Sequence, residues 1–143
     1  LKLVCAGGKA FRQDELQQFK KLQISSQCRQ MDVTDEVLQQ LYAQAVCFVF
    51  PSLHEGFGLP LLEAFANQCP VICSNSSCLP EIGGDAANYF NPYEPQNIRK
   101  AVETVLNNLS LQIELKHKGT ERLKLFTMKA CVENTVKVYE SVV

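Results

Sequence analysis

Glu55 and Glu63 stand eight positions apart in the segment Pro51-Ser-Leu-His-Glu55-Gly-Phe-Gly58-Leu-Pro60-Leu-Leu-Glu63-Ala. Gly56 and Gly58 let the backbone approach a ligand closely or take positive φ. Helix entry at Leu59-Pro60 leaves N–H groups at a positive dipole end, a ready site for an anion. Glu55 then lies in the loop before the helix and Glu63 at the end of its first turn. Two carboxylates so placed flank one pocket from different directions. In a plainer reading the glycines only shape a turn and both carboxylates are solvated.

Positioning these groups requires a strand before the loop and a helix after it. Val46 to Phe50 is a continuous apolar run stopped by Pro51, which suits a strand buried on both faces of a parallel sheet. Pro60 to Asn67 reads as the helix, with Pro where its missing N–H costs little. Around this core, residues 1–6, 24–30, 70–73 and 88–90 are further strand candidates. Helical patterns run over 12–22, from Thr34 as N-cap to Ala45, from Pro95 to Leu106, and over about 110–125 and 128–142. Ile98, Ala101, Val102, Val105 and Leu106 form one apolar stripe, and Cys131, Thr135, Val138, Tyr139 and Val142 another. Ser77 to Glu81 begins a short helix. Such alternation predicts one α/β domain, a doubly wound parallel sheet ending in α-helices. In such folds ligands bind beyond the carboxyl ends of the strands, where the 51–64 segment lies.

Composition narrows the function classes. The 143 residues are 46% hydrophobic and 20% charged, with net charge −1. That suffices for one sizeable core and gives bulk electrostatics no role in nucleic-acid binding. No apolar run reaches the roughly 20 residues of a membrane span, and no secretory leader opens the chain. Seven cysteines without a CxxC pair read as reduced thiols, hence a cytoplasmic protein. No His/Cys/Asp cluster has metal-ligand spacing. An apolar strand at residue 1, with no initiator Met, reads as a piece of a longer chain.

The stretch FVFPSLHEGFGLPLLEAFANQCPVICSNSSCLPEIGGDAANYFNP (residues 48–92) resembles the signature region of the family 4 retaining glycosyltransferases, the group 1 glycosyl transferases, which have the GT-B architecture. The Glu-x7-Glu motif appears as Glu55 and Glu63, and the P-V-I-x-S-N, L-P-E and G-D-A-A elements follow in order. Val33 to Tyr42 resembles the helix before the motif strand. Glu121-Arg122-Leu123 and Phe126, then a helix ending in Val138-Tyr139, resemble the family's C-terminal pattern.

The resemblance implies the Rossmann-like, nucleotide-sugar-binding C-terminal half of a two-domain enzyme, occupying residues 1–143. Glu55 would act at the donor sugar near the reacting centre, and Glu63 would accept hydrogen bonds from ribose hydroxyls. Backbone N–H groups around Phe57, Gly58 and Leu59 would hold the pyrophosphate or the sugar, and Gly7 and Gly8 match a family glycine position near the donor. The substrate would be a nucleotide diphosphate sugar, with no cofactor and no metal. The acceptor, a glycan or glycolipid, would bind an N-terminal domain absent here. The family's Arg/Lys pair, on the first strand and loop of its donor domain, would lie upstream of residue 1. The resemblance therefore implies an inactive fragment of a bacterial enzyme of surface polysaccharide or lipopolysaccharide synthesis. Mannose on GDP is a common donor in the family, and no residue here selects it over UDP sugars.

Other groups have structural readings beside functional ones. Gly7-Gly8-Lys9 also suits a plain turn, and Arg29 to Met31 lies where such enzymes contact the nucleobase. His54 reads as an exposed loop histidine. Cys69, Cys73 and Cys78 read as core packing around a buried strand. Lys116, Lys118, Arg122 and Lys124 give a late helix a basic face, which is either solvated or meets an anionic membrane surface. Two further readings use the same fold. One is a non-catalytic nucleotide-binding or interaction module. The other is a flavodoxin-type phosphate site, for which residues 7–11 supply no phosphate loop.

Overall fold

The structure, a computed structural model, describes residues 1–142. The chain divides into two compact units, Leu1–Gln40 and a second from Leu41 onward.

In the first unit β1 (Leu3–Ala6) and β2 (Cys28–Met31) pair in parallel, Leu3 opposite Cys28 and Ala6 opposite Met31. Helix α1 (Gln13–Lys21) connects them, its entry closed by the Glu15 carboxylate accepting the Arg12 N–H at 2.8 Å. The 24–30 strand expected from sequence begins later. Gln23 takes a positive φ of 58°, and the Gln27 N–H donates to Ile24 O at 2.8 Å, closing a turn first. Helix α2 (Asp35–Gln44) follows, its last turn counted with the second unit and its start capped by Thr34 Oγ1 accepting the Val37 N–H at 3.4 Å.

In the second unit β3 (Phe48–Phe50), β4 (Val71–Ser74) and β5 (Ala87–Phe90) form a parallel ladder in that order. Helices α3 (Leu59–Ala66), α4 (Leu79–Gly83), α5 (Pro95–Leu106), α6 (Leu109–Leu123) and α7 (Met128–Ser141) complete it. The central strand β4 is fully buried, whereas β3, expected to be buried on both faces, is half-buried at the end of its ladder. Ile72, Phe90, Ala101, Val105 and Leu115 form the core, with Ile98, Val102, Leu111, Val49 and Cys47 packed around it. The stripe read on α5 is thus the face that packs on the sheet. Asn108 ends that helix region and caps α6, its Oδ1 accepting the Leu111 N–H at 3.0 Å. The stripe read on α7 has no such outcome. No residue of α7 is buried, and nearly all of its described residues are exposed.

Helix α6 meets α3 at Gly119, where an added Cβ would stand 2.7 Å from Cδ1 of the buried Phe65. Gly→Ala inside a helix ordinarily gains about 1 kcal/mol. Here the ring sits in the core and cannot move aside, so overpacking outweighs propensity. Gly119→Ala should destabilise the chain by about 1–3 kcal/mol in denaturant unfolding, and a gain in stability would refute that packing. Cysteine labelling reads the same core. Burial pushes the Cys69 and Cys73 thiols up to about 12, while Cys131 is exposed. At neutral pH a maleimide should modify Cys131 while Cys69 and Cys73 react only after unfolding; labelling of native Cys73 would contradict the fold.

Candidate functional site

The segment after β3 is anchored to β4 and α4. Buried Ser74, the last residue of β4, donates its hydroxyl to Ser52 O, which pins the exits of the two strands together. Ser52 Oγ donates to His54 O at 3.2 Å, and His54 itself is exposed. Four contacts from the start of α4 then hold residues 55–57. The Glu55 N–H donates to Ser77 Oγ at 3.4 Å, and the same hydroxyl lies 2.9 Å from Glu55 O. The Cys78 thiol is 3.3 Å from Glu55 O and 3.2 Å from Phe57 O, one S–H donor shared between two carbonyls.

Planarity turns these anchors into a site. In a trans peptide the C=O and the next residue's N–H point in opposite directions. With the carbonyls of Glu55 and Phe57 drawn to α4, the N–H groups of Gly56 and Gly58 point away from it. Gly58 then caps α3 in the left-handed region (φ 100°, ψ 39°), and an added Cβ would meet Leu79 Cδ2 at 2.9 Å. Conformation and space both require glycine there. Among the described residues, no protein acceptor takes the N–H groups of Gly56, Phe57, Gly58 or Leu59. Four successive donors at a helix N-terminus form a concentrated electropositive patch of backbone.

Glu55 precedes these donors in the loop and Glu63 follows them on α3. Glu55 is half-buried, and no protein group binds its carboxylate among the described residues. Glu63 is exposed on α3 and accepts the Tyr42 hydroxyl on Oε2 at 3.2 Å. Burial first, and the Glu63 charge second, push the Tyr42 hydroxyl well above its ordinary pKa, so it stays a donor. That contact orients the carboxylate and leaves Oε1 to accept from a ligand. Phe57 and Leu59 are exposed beside the donors. Gly7 and Gly8 belong to the first unit, both at positive φ (74° and 78°), with the Gly7 N–H donating to Met31 O at 2.9 Å.

Several contributors were not visible as site residues. Ser77, Cys78 and Tyr42 act through contacts 21 to 23 residues away in sequence. Cys69 and Cys73 are buried packing residues, as read; Cys78 instead shapes the loop. The basic face of α6 is largely engaged. Lys118 pairs with Glu114 at 2.7 Å and Asp85 at 3.4 Å, Lys124 pairs with Glu121 at 2.7 Å, and Arg122 turns inward. A depression of about 330 Å³ there, and another of about 230 Å³ beside α5, include no residue of the 51–63 segment. No helix among the described residues is long and apolar enough to cross a membrane.

The chain is similar to several known proteins in sequence and in fold. O-antigen chain mannosyltransferase B of Escherichia coli is 39% identical over 108 residues, 76% of this chain and 28% of that protein. The chain thus spans little more than a quarter of that relative's length. The C-terminal domain of a glycosyl transferase group 1 family protein (LpcC) from Francisella tularensis superposes with TM-score 0.68 at 27% identity, covering 78% of this chain and 60% of that one. Sucrose-phosphate synthase from Thermosynechococcus elongatus superposes with TM-score 0.80 over 99% of this chain and 38% of its own, and at 22% identity it shares the fold. The family described as Glycosyl transferases group 1 matches residues 1–122, strands, motif loop and α6 included, and the chain belongs to that family.

Proposed function

We propose that this chain is the donor-binding part of a retaining glycosyltransferase that takes a nucleotide diphosphate sugar and extends a surface polysaccharide or lipopolysaccharide. The observation that carries the reading is the row of N–H donors at residues 56–59, set between Glu55 and Glu63. When the bond between sugar C1 and the diphosphate breaks, negative charge grows on the departing phosphate. Fixed backbone donors stabilise that charge most where it develops, which lowers the barrier. Glu55 faces the anomeric centre, where a carboxylate stabilises developing positive charge on the sugar. Glu63 accepts from the ribose diol, a task for a group with two acceptor oxygens and no donor. No metal is assigned a role in this scheme.

The similarity to mannosyltransferases favours a mannosyl donor. In this reading the acceptor half, and a basic pair that assists the diphosphate, belong to a longer polypeptide. The 143 residues alone then bind nucleotide weakly and transfer nothing. Work takes place on the inner side of the membrane, where nucleotide sugars are made.

The two carboxylates separate in kinetics of the full-length enzyme. Glu55→Ala should lower kcat by about a hundredfold or more, the scale of losing one transition-state partner. Glu63→Ala should raise the donor KM by about tenfold, equivalent to one hydrogen bond to a charged group. Wild-type constants in both variants would overturn the proposal.

A further inference from the structure

Arg122 reaches the motif loop by two routes that start from one guanidinium. Its Nε donates to Ile82 O at 3.0 Å and its Nη2 to Glu81 O, so it grips the carbonyls of α4. The other end of α4 carries Ser77, Cys78 and Leu79, the residues that hold Glu55, Phe57 and Gly58. The Cζ of the same guanidinium lies over the Phe126 ring, 5.4 Å from its centroid, within cation–π range. Phe126 in turn meets Phe57 edge-to-face, centroids 6.0 Å apart at 89°. Room for the guanidinium is built in: Gly84, at φ 56°, lacks the Cβ that would stand 3.0 Å from Nε.

We propose that Arg122 is a positioning residue of the transfer site, setting the 56–59 donors through α4 on one side and through Phe126 on the other. The inference deepens the donor-site reading and rests on it. A planar fork serves both routes, since two of its N–H groups reach the α4 carbonyls while its delocalised charge sits over the ring. A lysine keeps the charge and loses both geometries. Coupling of this kind acts on the orientation of the loop without touching the ligand.

Two measurements test it. In amide NMR spectra of this chain, Arg122→Lys should move the signals of Gly56, Phe57, Gly58 and Leu59 as well as those of 81–84. Movement confined to 81–84 and α6 would overturn the proposal, whatever the ligand proves to be. In the full-length protein, with UDP and GDP as probes, Arg122→Lys and Phe126→Leu should each weaken binding of whichever the parent binds by about tenfold. The double variant should be much less than the product of the two, because they share a path. Unchanged affinity with only a lowered Tm would mean that Arg122 is structural, while the Glu55 and Glu63 variants would still report on the donor-site reading. Loss of effect in those two carboxylate variants would strike the reading itself, leaving the NMR result to judge Arg122.

Discussion

The site depends on two backbone carbonyls, those of Glu55 and Phe57, being held by the start of α4. Without Ser77 and the Cys78 thiol the carbonyls could turn either way. With them, planarity of the peptide turns the N–H groups of Gly56 and Gly58 away from α4. Each held carbonyl therefore produces one aimed donor. Gly58 completes the set by starting α3 in a left-handed conformation against Leu79. The donors that an anion would meet here are backbone N–H groups, since the 51–63 segment has no Lys or Arg.

Everything that fixes α4 consequently bears on the donors. Its amino end follows the buried strand β4, and its carboxyl end is held by Arg122 from α6. Helix α6 is seated in turn by the close approach of Gly119 to Phe65 on α3. The helix that carries Glu63 and the helix that carries Arg122 thus pack on each other, and α4 spans from Arg122 to the loop. Tyr42 adds an independent hold on the Glu63 carboxylate, whereas Glu55 is held through its backbone by Ser77 and Cys78.

Elements with a strong period or a local start signal were legible in the sequence. Thr34, Pro60 and Pro95 mark helix starts where the structure has them, and the Ile98–Val105 stripe is the face that packs on the sheet. Glu55, Gly58 and Glu63 were legible because the motif is short and local. Ser77, Cys78, Tyr42, Arg122 and Gly119 were not, since each has a decisive partner 21 or more positions away. Cysteine is a special case of the same difficulty. Chain pattern alone cannot separate Cys73, packed in β4, from Cys78, whose thiol meets two carbonyls. The period of α7 was read correctly as helical, but a period shows which residues share a face and not whether anything covers it.

The central claim is that the N–H groups of residues 56–59 hold the diphosphate of the donor. A crystal structure of the full-length protein with UDP or GDP tests it most directly. The account predicts phosphate oxygens within hydrogen-bond distance of at least two of those four amides, with Glu63 against the ribose. A diphosphate seated elsewhere, with residues 56–59 facing only solvent, would contradict it.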